Sequence, residues 1–196
     1  MATAKQKAPS TVYRLKITLR GIKPPIWRRI EVPGDVPLDD FHLMIQAAMG
    51  WTNSHLHGFD IGGENYSIPD PEFGADDILD ETKFRLRRLV PEEKAKLTYT
   101  YDWGDCWEHL ILVEKITPPE PGVKYPRCVA GARACPPEDV GGVWGYAEFL
   151  EVIGDPKHER HEELAEWAGD AFDSERFEVA EANEKLRNWK LLRWED

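Results

Sequence analysis

His55 and His57 stand two residues apart in HLHGFDIGG, the segment at 55–63. On an extended strand, side chains at i and i+2 leave by the same face, so imidazoles at this spacing can converge on one ion. Asp102, Asp105 and His109, from YDWGDCWEH, would complete such a set. Neutral imidazole with carboxylate suits zinc or a similar metal. The simpler account is that these groups hydrogen-bond backbone in a Trp-lined turn. A second set uses sulfur. Cys106, His109, Cys128 and Cys135 give the Cys₃His count of structural zinc, but the gap between Cys128 and Cys135 is longer than common zinc spacings. Thiols packed as small hydrophobes are the preferred reading.

Two further groupings carry ligand-binding potential. Glu138 and Asp139 follow Pro136-Pro137 and precede Gly141-Gly142. Adjacent acids can hold a metal, or accept a proton when one is pushed toward its neutral form. The preferred account is a rigid loop whose acids cap a helix beginning near residue 144. Trp51, Trp103 and Trp107, with Trp27 and Trp144, could line an aromatic cleft for a base or a peptide, although such residues are more often core. Gly62-Gly63 and Gly141-Gly142 lack the Lys and Ser/Thr of a phosphate loop. No Gly-x-Ser-x-Gly elbow occurs in the chain. The residues assign no catalytic group, so binding is expected ahead of catalysis, with a metal-dependent hydrolase built on the His/Asp set as the alternative. A protein-protein interaction domain is the third reading.

The elements that would position these groups are legible from periodicity. Tyr13, Leu15, Ile17 and Leu19 alternate with Arg14, Lys16, Thr18 and Arg20, the pattern of a half-buried strand with a basic outer face. A turn at Gly21 and Pro24-Pro25 leads to a second strand at 26–32, so the two should pair antiparallel. Phe41, Ile45 and Ala48 share one face of a helix at 39–49, with Asp39 and Asp40 at its positive end and Gly50 as its stop. Strands are expected at 55–61, 97–103 and 108–116, the last two forming a hairpin about Gly104-Asp105. Residues 66–80 read as a loop, 83–90 as a short strand or turn, and the Pro-rich stretch from 118 to 137 as a second loop. Helices are expected near 144–153, 158–168 and 174–189. Strands first and helices later predict an α+β fold: a mainly antiparallel sheet, one packed helix and a helical C-terminal part. Residues 1–11 are expected to be a disordered tail and 12–190 a single domain.

Composition narrows the function classes. The formal net charge is −11, which disfavours general nucleic-acid binding. Residues 1–30 nevertheless hold eight basic and no acidic side chains, and Arg14, Lys16 and Arg20 should line one strand face, beside Arg28 or Arg85. Such faces read as solvated surface, so no tight nucleic-acid binding is expected. Apolar runs are far shorter than the roughly 20 residues a membrane span needs, and no apolar stretch of a secretory signal follows MATAKQKAPST. Three cysteines, an odd count, suit a reducing compartment, and a cytoplasmic protein is expected.

Longer segments carry a family likeness. YRLKITLRGIKPPIWRRIEVP, IQAAMGW, HLHGF, YDWGDCWEH and CVAGARACPPEDVGGVWGY together resemble the plasmid pRiA4b ORF-3-like family, from about Tyr13 to Leu186. The family's turn reads GDGW, and Cys106 replaces its second glycine here. The resemblance implies a compact α+β fold and an accessory protein of plasmids and mobile elements. It implies no catalytic residues.

Overall fold

The computed structural model describes residues 10–69, 77–169 and 172–194. Most of the tail expected at 1–11, and the middle of the loop expected at 66–80, lie outside the described residues. The chain builds one eight-stranded sheet. In chain order the strands are β1 (Val12–Leu19), β2 (Trp27–Pro33), β3 (His57–Ile61), β4 (Glu64–Ser67), β5 (Ile78–Asp80), β6 (Lys96–Tyr101), β7 (Trp107–Thr117) and β8 (Arg127–Ala132). Across the sheet they run β5-β4-β3-β6-β7-β1-β2-β8. Every neighbouring pair is antiparallel except β4 with β5. The fold is therefore α+β, with the first hairpin and the β6–β7 hairpin joined directly through β1 and β7.

Helix α1 (Leu38–Met49) lies on the inner face of the sheet. It begins with Asp39 and Asp40 in its first turn and ends at Gly50, whose left-handed φ of 111° lets its N–H return to Gln46 O. Nearly every residue of α1 is buried, polar ones included, because the helix is covered on both sides. The sheet presents Leu15, Ile17, Ile30, Phe59, Tyr99 and Ile111 beneath it. Helix α5 (Val179–Arg187) and a 3₁₀ turn, Trp189–Leu192, pack above it. Each fully buried aliphatic side chain contributes about 1.5–3 kcal/mol, so this layered interior dominates the stability. Helices α3 (Gly142–Gly154) and α4 (His161–Ala168) pack on each other, with Phe149 edge-on to Trp167 and Phe172. Between β5 and β6, residues 83–90 form no strand; a 3₁₀ turn at Glu81–Lys83 leads to a single helical turn, α2 (Leu86–Leu89). Among the described residues no helix is long and apolar enough to cross a membrane.

The ends of the sheet differ. β8, inside the stretch expected to be loop, pairs with β2 on one side. On the other, Asn183 of α5 bonds to its backbone: Cys128 N donates to Asn183 Oδ1 at 2.9 Å, and Asn183 Nδ2 donates to Cys128 O at 2.8 Å.

The outer face carries Arg14, Arg20 and Arg29, which are paired across strands, and Lys16, which lies over the Trp27 ring. Arg20 meets Glu108, Arg29 meets Glu114, and Glu31 lies between Arg14 and Arg127. Arg28 is absent from this face; it points into the core. Burial pushes the Glu31 carboxyl up, but the hydrogen bonds from Arg127 and Arg14 outweigh that and hold it below its ordinary value. The contribution is therefore present above the unfolded carboxylate's pKa and is lost as pH falls through the folded one. Glu31→Gln is expected to lower stability by about 1–2 kcal/mol at neutral pH, with the deficit closing in acid. Denaturant midpoints across pH check this, and equal stability at neutral pH would show that the triad does not clamp β1, β2 and β8.

Candidate metal centre

Three loops meet at one end of the sheet: residues 51–56 between α1 and β3, residues 102–106 between β6 and β7, and residues 136–141 before α3. Tyr101, the last residue of β6, fastens two of them. Its hydroxyl accepts from Ser54 N at 2.9 Å and His55 N at 3.3 Å, and donates to Glu138. Burial, reinforced by the Glu138 carboxylate, raises the Tyr101 pKa well above its ordinary value, so the hydroxyl keeps its proton for that bond. Glu138 also accepts from Thr52 N and Thr52 Oγ1. Trp51 Nε1 donates to Pro136 O at 3.0 Å, and Asp102 N donates to Leu56 O at 2.9 Å. The loops are thus held by buried and half-buried side chains, Tyr101, Glu138 and Trp51, together with one backbone bond.

Within this frame His55, Asp102 and Asp139 converge. One donor atom from each lies within 4.8 Å of the other two. His55 Nε2 is 3.0 Å from Asp139 Oδ1 and 3.7 Å from Asp102 Oδ2. That nitrogen is shielded from solvent and makes no properly directed hydrogen bond among the described residues. Asp102 Oδ1 accepts from Gly104 N at 2.9 Å, which leaves Oδ2 turned toward the histidine. The backbone is left-handed at Asn53 (φ 62°), Asp102 (φ 57°), Cys106 (φ 54°) and Asp139 (φ 62°). Asn and Asp tolerate that conformation better than most residues, and such strain gathers where a loop must aim a side chain.

The remaining candidates lie elsewhere. His57 does not share a face with His55, because β3 begins at His57 and His55 sits in the bend before it. The His57 ring is buried, with Nε2 at 2.9 and 3.1 Å from the two Glu81 oxygens. His109 is buried too, with Nδ1 3.3 Å from Tyr99 O and its ring edge-on to Trp51. Burial holds it neutral, with its pKa pushed down to about 4. Asp105 is occupied by Gly141 N, which donates to its Oδ2 at 3.1 Å. The cap for α3 therefore comes from the β6–β7 turn. Glu138 and Asp139, expected to cap that helix, face the 51–55 loop instead. Cys106, Cys128 and Cys135 carry free thiols and do not gather with His109. The tryptophans divide: Trp51 and Trp107 are core with ring centroids 6.0 Å apart, while Trp103 is 58% exposed and Trp144 is 87% exposed.

A second polar group sits beneath the 51–55 loop and was not legible in the sequence. His42 and His57 stack with ring centroids 3.3 Å apart. Gln46 Nε2 donates to Tyr99 OH at 2.9 Å, and that hydroxyl lies 2.7 Å from His42 Nδ1. His42 Nε2 lies 2.7 Å from Asn53 Oδ1, an acceptor only, so the ring proton belongs on Nε2. Asn53 Nδ2 donates to Leu192 O at 2.9 Å. The signal for this network is two polar residues, His42 and Gln46, four apart on a helix that is otherwise apolar after its first turn.

An α+β sheet protein with a His/Asp centre on three interlocked loops is thereby defined. Residues 11–181 match the family described as "Plasmid pRiA4b ORF-3-like protein", and the chain belongs to that family. It is 43% identical over 179 residues to "Uncharacterized protein y4hQ" from Sinorhizobium fredii, covering 90% of this chain and 91% of that protein. The fold is similar to the crystal structure of the protein of unknown function MM3350 from Methanosarcina mazei Go1, with a TM-score of 0.80 and 42% identity over 88% of this chain and 98% of that one.

Proposed function

We propose that the protein is a binding module that holds one divalent metal ion, of zinc type, between His55, Asp102 and Asp139. The observation that carries this reading is the ligand spacing. Tetrahedral ligands about 2.0–2.2 Å from a metal lie about 3.3–3.6 Å from one another. The two histidine–carboxylate distances, 3.0 and 3.7 Å, bracket that span. Three protein ligands leave a fourth position open for a ligand or for water. A hydrolase would also need a free base beside the ion. Glu138 is the acid next to Asp139, but its oxygens are engaged by Thr52 and Tyr101, so the arrangement favours binding over hydrolysis. The family's name refers to a plasmid open reading frame, which is compatible with an accessory role for such a module. Its free thiols fit a reducing compartment, and the cross-strand pairing of its arginines argues against tight nucleic-acid binding.

Protein purified without added metal, and then titrated with Zn²⁺, tests this reading. Wild type is expected to take up about one ion per chain, and His55→Ala to lose it while keeping its fold, because two carboxylates are too few. Asp102→Asn should weaken uptake by about tenfold or more. Absence of stoichiometric uptake in wild type, or unchanged uptake in folded His55→Ala, would remove the proposed centre.

A further inference from the structure

We propose that the cavity beside the C-terminal end of α1 is a second binding site, for a small organic anion, and that Arg28 is the group that recognises it. This site does not depend on the metal centre.

Arg28 projects from β2 toward the core, where the strand's alternation otherwise places Ile30 and Val32, and it is 2% exposed. A buried cation is retained at a cost of several kcal/mol unless something offsets its lost hydration. Here the offset is partial. Arg28 Nε donates to Ala48 O at 3.0 Å, and Nη1 donates to Trp27 O at 2.9 Å and Ala132 O at 3.0 Å. These acceptors are neutral carbonyls. Among the described residues no carboxylate pairs with Arg28, and Nη2 makes no hydrogen bond. Burial pulls its pKa below the ordinary arginine value, with weaker opposite pulls from Cys135 and Cys128, yet a guanidinium stays charged in any protein environment.

The surroundings are built to hold that guanidinium in one pose. Phe177 covers one face, its ring centroid 4.0 Å from the guanidinium carbon. Gly131 lies opposite Arg28 across the β2–β8 pair, and a Cβ on Gly131 would fall 2.4 Å from the Phe177 ring. The glycine therefore makes the room in which Phe177 lies. With one face stacked and two edges taken by carbonyls, the Nη2 edge remains for a ligand.

Arg28 lines a cavity of about 470 Å³ that it shares with Trp51, Cys135 and Lys185. That volume falls in the range of small-molecule sites. Four carboxylates, Glu138, Asp173, Glu178 and Glu181, and two further cations, Arg176 and Lys185, also line the cavity; Glu181 pairs with Arg176, Glu138 is held by Thr52 and Tyr101, and Asp173 and Glu178 are exposed. Exposed mouth charges are screened by water and salt, whereas the buried guanidinium is not. A carboxylate or phosphate arriving at Nη2 would supply the charged partner the fold withholds, through a charge-assisted hydrogen bond.

The test titrates the full-length protein with succinate, inorganic phosphate and the neutral succinamide, by calorimetry and by the NMR resonance of the Arg28 Nε–Hε group. Succinate or phosphate is expected to bind saturably and shift that resonance, with succinamide silent. Tighter binding of succinate would assign the site to carboxylates, and of phosphate to phosphoryl groups. Arg28→Gln should weaken the preferred anion by about tenfold or more. Because Arg28 also bonds three carbonyls, that variant could fail to fold, and the wild-type resonance then decides. No saturable response to either anion up to about 10 mM, an equal response to succinamide, or binding that leaves the Arg28 resonance unmoved would overturn the proposal.

Discussion

Glu81→Gln is expected to flatten the alkaline side of the protein's stability profile. Glu81 is 1% exposed, and burial, with help from Asp39 and Asp80, pushes its carboxyl up to about 8. Its partner His57 moves the other way, down to about 3, again by burial. The pair thus sits in its neutral form near pH 7, and the stacked His42 ring is held neutral by the same desolvation and by the nearby His57. The sign follows from the raised carboxyl. Its contribution is full below the unfolded pKa near 4.5 and is lost as pH rises through about 8. About 1.4 kcal/mol should disappear over the two pH units centred there. The histidines act oppositely, since depressed folded values penalise the native state as pH falls below about 6.5. Wild-type stability should therefore peak between about pH 6 and 7. Glutamine keeps an acceptor for His57 without the titration, so the decline from pH 7 to 9 should vanish, while Glu81→Ala should cost about 3 kcal/mol by stranding the imidazole. Urea midpoints across pH measure both, and a Gln variant with the wild-type alkaline slope would show that another group titrates.

Gly142→Ala is expected to damage the fold and the proposed metal centre together. Gly142 has a φ of 67°, and a Cβ there would lie 2.5 Å from the backbone oxygen of Asp105. Neither the left-handed conformation nor the backbone contact can be relieved by a rotamer change. The 102–106 turn and the loop before α3 would have to separate, taking Asp102 from Asp139. A loss of about 2–4 kcal/mol is expected, with Zn²⁺ uptake reduced even in the fraction that stays folded. Trp144→Ala, two residues on and 87% exposed, should change stability by less than about 0.5 kcal/mol. Wild-type stability and uptake in Gly142→Ala would mean that the two loops can meet without this contact.

The parts of the fold written in period were legible. The alternation from Tyr13 to Arg20 and from Leu97 to Trp103 gave β1 and β6 almost to the residue, and Phe41, Ile45 and Ala48 gave α1. β8 was hidden because Cys128, Ala130 and Gly131 carry no strand propensity and lie among prolines; its partners, not its residues, make it a strand. β4 and β5 are too short to show a period. At the site, the pairing of His55 with Asp102 was within reach, since both lie in the marked segments. The separation of His57 was not, because it depends on where β3 starts. In the sequence Asp139 groups with the ligand-binding acids rather than with the metal set, since only the folded loops show that it faces His55.

The bond pair between Asn183 and Cys128 has a consequence for assembly. A side-chain amide offers one donor and one acceptor in the arrangement of a peptide group, so Asn183 meets β8 as one residue of a ninth strand would. Exposed strand edges are templates for other chains, which can extend a sheet from one molecule into the next. Here a helix bound for the core lends a single side chain to the rim, and the template is spent within the molecule. At Cys128 the rim of β8 is thereby closed from within the molecule by one amide, next to the charge of Arg127 and the proline before it.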